Sequence, residues 1–67
     1  MDFQQAQRAR IKELGERLRG EINLFEEAVA LDKGFSESKR LFMITKKTDA
    51  ELSAAIKKYY RMMGIKA

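Results

Sequence analysis

The sequence has no cysteine, no histidine, no proline and no tryptophan, and only four glycines. Without cysteine there can be neither a disulfide staple nor a thiolate metal site. Without histidine the commonest metal ligand and the usual general base are missing. No apolar run approaches the ~20 residues that span a bilayer. The opening residues Met1-Asp2-Phe3-Gln4-Gln5 lack a basic start followed by an apolar core, so no secretory signal is expected, and the cytoplasm is the expected compartment. A chain that starts at Met1 is expected to be a complete small gene product.

What is present is charge and helix-forming side chains. Of 67 residues, 36% are charged and 45% apolar. Ala, Leu, Glu, Lys, Arg, Gln and Met recur throughout, a composition that favours folded helix over disorder. The length supports one domain, and such a domain has only a few kcal/mol of stability to spare. With disulfides and the common metal sites excluded, oligomerisation or unusually good helix packing must supply the remainder. The net charge of +4 is uneven. Residues 1–32 hold five basic and seven acidic side chains, whereas residues 33–67 hold nine and three. An anionic partner would therefore be sought on the second half.

The spacing predicts an all-α fold of three helices, over 3–31, 37–46 and 49–63. In the first, Ile11, Leu14, Leu18, Ile22, Phe25 and Val29 recur every three or four residues and fall within a stripe of about 80°. That seam is as narrow as a coiled coil's. Glu13 with Arg17 and Arg17 with Glu21 have ion-pair spacing. A second stripe, Leu24, Ala28 and Leu31, suggests that residues 22–31 are wedged between two other helices. Asp32-Lys33-Gly34-Phe35 breaks the pattern, with Gly34 suited to a left-handed C-cap and Ser36 to the next N-cap. Thr48 with Glu51 reads as a capping box opening a third helix that ends at Gly64. Its core face is Leu52, Ile56, Tyr59 and Met63. Two short helices cannot cover a 29-residue one, so the first ~15 residues should overhang. A helical partner is then expected over Ile11, Leu14 and Leu18, a second copy being the simplest. The whole is predicted to be oligomeric or partner-stabilised.

No catalytic constellation is legible. The one adjacent carboxylate pair, Glu26-Glu27, points to different sides of a helix, and no phosphate-binding glycine loop occurs. The sequence therefore predicts a non-enzymatic protein without a cofactor or metal. Two surfaces remain for binding. One is the seam of Ile11, Leu14 and Leu18. The other is a basic face on the second helix, where Lys39 with Lys46, and Arg40 with Lys47, form rails seven residues apart around Met43. Such a face suits phosphates at its edges and an adaptable protein contact at its centre. Lys57, Lys58 and Arg61 add a basic back to the third helix. The expected function is a small protein–protein interaction module, a regulator, adaptor or assembly factor. The alternative is a DNA- or RNA-binding protein. Ala30, Gly34, Phe35 and Ser36 resemble the small–x3–Gly–apolar–Ser turn of helix-turn-helix proteins, although Lys33 and Arg40 depart from its apolar pattern.

Overall fold

The computed structural model describes residues 3–64; Met1, Asp2 and residues 65–67 lie outside the described residues. The fold is all-α, but the described residues form two helices and not three. Helix α1 spans Phe3–Ala30 and helix α2 spans Phe35–Met62, each 28 residues long. They run antiparallel as a hairpin. Contacts fix the register: Arg8 meets Tyr59, Arg17 meets Glu51, and Phe25 meets Phe42. The numbers of facing residues sum to 67 or 68 along the whole length, so neither helix slips relative to the other.

The break expected at Thr48 does not occur. A 3-4 pattern runs unbroken through Ser38, Leu41, Thr45, Thr48, Leu52, Ala55 and Tyr59, and all seven are buried or half-buried. The matching positions in α1 are Gln7, Ile11, Leu14, Leu18, Glu21, Phe25 and Ala28, again all buried or half-buried. This is the 3-4 seam geometry of two helices packed lengthwise. Thr45 and Thr48 are polar members of the seam, and their polarity mimics a cap. Thr48 is in fact 4% exposed in the middle of α2. Thr45 satisfies its hydroxyl locally, donating to the Leu41 carbonyl at 3.0 Å.

Continuity of α2 also removes the overhang. A 28-residue helix is about 42 Å long, so α2 reaches back over all of α1. Leu14, expected to face water, is completely buried. The wedge is absent as well. Among the described residues α2 is the one helix beside residues 22–31, so Ala28 is buried while Leu24 and Leu31 are exposed. Arg17 pairs across the seam with Glu51 at 3.8 Å, in place of the expected partners Glu13 and Glu21.

The turn differs from its expected form too. The left-handed residue is Asp32, at φ 50°. Lys33 donates its N–H to the Ala28 carbonyl at 3.0 Å, and Asp32 donates to the Val29 carbonyl at 3.1 Å. These two bonds make a Schellman motif that satisfies the last carbonyls of α1. Gly34 is the N-cap of α2, at φ 100° and ψ 158°, and Ser36 lies inside the helix. That backbone region is essentially closed to residues with a Cβ. The antiparallel hairpin thus replaces the steep crossing that a helix-turn-helix requires.

The hairpin is a slab of 45 × 21 × 13 Å. The thickness is that of a single helix. Its radius of gyration is 15.0 Å, against about 11 Å for a globule of this length. Among the described residues, Leu14 and Ala28 are the fully buried apolar side chains. One layer of two helices can bury its seam and little else.

Candidate functional site

The two broad sides of the slab are not alike. Beside the seam, α2 carries a row spaced by seven, Phe35, Phe42, Asp49 and Ile56, which its C-cap Met63 extends. On the same side α1 carries Ile22 and Val29, turned about 60–80° from Leu14. At the turn end these rows form an open groove of about 460 Å³ lined by Phe25, Val29, Phe35, Ser38, Lys39 and Phe42. Phe35 is 80% exposed and Val29 56%. The Phe25 and Phe42 rings meet at 5.7 Å and form the floor. At the open end a second groove of about 330 Å³ lies between Arg8, Ile11, Ile56, Tyr59 and Tyr60. There Arg8 donates from Nε to the Tyr59 hydroxyl at 3.0 Å. Together the two grooves and the rows between them form the front face.

The predicted seam residues have a different fate from the one expected. Leu14 has no exposed surface with which to meet a partner, while Ile11 and Leu18 are half-buried under α2. Met43 stands 55% exposed on the outer side of α2, away from the seam. Sequence reasoning missed Phe35, Phe42, Val29 and Ile56 as one surface. The signal was the spacing of Phe35, Phe42, Ile56 and Met63 in multiples of seven, which is visible only if the helix is read straight through Thr48.

Continuity of α2 also gathers the basic residues. Lys39, Arg40, Lys46, Lys47, Lys57, Lys58 and Arg61 all fall within an arc of about 120° on the outer side of α2. No acidic residue shares that arc. Met43, Ala50 and Ala54 run along its centre. From Lys39 to Arg61 the stripe is about 33 Å long. Its two edges differ. Lys39 and Lys46 lean towards the front face, their ammonium groups 5.8 Å and 5.5 Å from the centroids of Phe35 and Phe42. Arg40 pairs with Glu37 on the other edge. The outer side of α1 is mixed in sign, with Glu16 and Glu27 beside Lys12.

Among the described residues, no group of three or more Asp, Glu, His or Cys side chains converges as a metal site would require. No described helix is long and apolar enough to cross a membrane. Comparison with protein-family models, curated proteins and solved structures finds no match.

Proposed function

We propose that this protein is a non-enzymatic protein–protein interaction module that presents its front face to further helices. The observation that carries the reading is surface area. The chain exposes 5324 Å², whereas a compact monomer of 7.8 kDa would expose about 4400 Å². The excess of about 900 Å² matches what one partner contributes to a standard interface. It is also apolar where it matters, with Val29, Phe35 and Phe42 side by side, and contiguous exposed apolar surface marks interaction sites. The lack of histidine and cysteine supports the non-enzymatic part of the reading.

The test is a photo-crosslinking residue placed at Phe35 and, as a control, at Glu16 on the outer side of α1. Expression in the native host is expected to give a polypeptide adduct from position 35 and much less from position 16. Absence of any adduct at 35 overturns the reading.

A second reading, binding of a nucleic-acid backbone by the outer side of α2, is favoured by one observation. Seven cations share one face of a single helix with no carboxylate among them. Backbone binding of this kind should weaken steeply with salt. Mobility shift with duplex DNA and RNA at low and moderate salt decides it, and no binding at low salt ends it.

A further inference from the structure

We infer that the occupant of the front face is a second copy of this chain, packed face to face with both turns at the same end. This rests on the interaction-module reading and names its partner. The charge pattern of the front face selects the arrangement. Asp49 sits mid-row, between apolar Phe42 and Ile56, and makes no ion pair among the described residues. The register puts Asp49 level with Leu18 and Arg19. Arg19 lies towards the same broad side, and among the described residues its guanidinium is engaged only with the Gly15 carbonyl of its own helix, at 3.5 Å.

Two symmetric ways of stacking the slabs exist. With the two-fold axis along the helices, α2 of each copy lies over α1 of the other at the same level. Phe35 and Phe42 then cover the partner copy's Val29 and Ile22, and Asp49 comes over the partner copy's Arg19. With the axis across the helices, the turns lie at opposite ends and each helix lies over its own counterpart. Asp49 then meets the other Asp49 near the axis, and Val29 lies over the polar N-terminal turn of the other α1. Like charges at an interface centre disfavour that arrangement, as does leaving Val29 without an apolar neighbour. The same-end arrangement satisfies both and gives a four-helix bundle, the usual solution for two amphipathic hairpins.

Because the chain has no cysteine, a single cysteine introduced by Lys33→Cys in the turn can carry a nitroxide label. Light scattering is expected to give twice 7.8 kDa at micromolar concentration. Pulsed dipolar spectroscopy is expected to give a label separation under about 30 Å, since the turns are then about two helix diameters apart. Asp49→Arg and Arg19→Asp should each weaken dimerisation about tenfold or more, and the double variant should recover most of the loss. Circular dichroism on each variant separates weakened pairing from failure to fold. A mass other than twice the monomer overturns the inference. So does a separation near the 45 Å length of the hairpin, or a double variant no better than the singles. A monomer in solution together with a heterologous adduct at Phe35 would overturn this pairing and leave the interaction reading standing.

Discussion

Arg8 and Tyr59 are 51 positions apart in the chain and are joined by a 3.0 Å hydrogen bond at the open end of the hairpin. The bond exists only because α2 runs straight from Phe35 to Met62 and returns to the first turns of α1. Everything proposed for the surface depends on that continuity. It gathers the basic residues into one stripe and the front-face residues into one row.

Continuity can be tested with proline. Were Thr48 an N-cap, Asp49 would be the first helical residue, where proline is welcome. In mid-helix, proline removes a hydrogen bond and clashes with the preceding turn, at about 3 kcal/mol or more. Asp49→Pro is therefore expected to abolish most of the helical circular dichroism at 25 °C. Asp49→Ala should keep it. A folded Asp49→Pro variant would restore the three-helix reading.

The turn offers a second test, and it separates backbone strain from crowding. A Cβ on Gly34 would meet nothing within 4 Å, yet φ 100° is unfavourable for an L-residue. Gly34→Ala should lose about 1–3 kcal/mol, and D-alanine at that position should recover most of it. At Asp32, φ 50° is tolerated but not preferred, so Asp32→Gly should gain up to about 1 kcal/mol. Chemical denaturation followed at 222 nm measures all three.

Glu21 is a weak point in the seam. One of its carboxylate oxygens, Oε1, is buried without a hydrogen-bond partner. An unsatisfied buried acceptor costs about 1–3 kcal/mol. Glu21→Leu removes that penalty and places an apolar side chain in the 3-4 pattern between Leu18 and Phe25. A higher melting temperature is expected. A lower one would mean that the carboxylate has a partner in solution.

Leu14 and Met43 should respond in opposite ways. Leu14 is fully buried, so Leu14→Ala should lose about 2–5 kcal/mol, enough to unfold a domain this small. Met43 is 55% exposed, so Met43→Ala should change stability by less than about 0.5 kcal/mol. Equal losses at the two positions would be incompatible with the seam described above.

Much of this fold was legible in the residues. The first helix could be read from spacing alone, with Ile11, Leu14, Leu18 and Phe25 of its stripe, whereas Ile22 and Val29 turn out of the seam and Ala28 takes a place in it. The break after Ala30 could be read from Asp32 and Gly34. The second helix was harder to follow for a specific reason. Two of its seam positions are threonines, and Thr48 with Glu51 has the spacing of a capping box. Local chemistry therefore suggested a start where packing imposes continuity. The capping bond is worth about 1 kcal/mol. Setting Leu52, Ala55 and Tyr59 against α1 without a break buries more than that, and packing outweighs the local preference.

The sequence by itself determined that the chain is helical, that it lacks the histidine and cysteine of most catalytic and metal sites, and that its second half is basic. Those properties follow from residue type and short-range spacing. Tertiary structure alone decided that Ile11, Leu14 and Leu18 serve the hairpin's own seam. It also decided that Phe35, Phe42 and Val29 stand beside that seam on a shared face. The reason is geometric. A seam position and a flanking position look equally apolar along a sequence, and only the direction of the neighbouring helix tells which of them is covered.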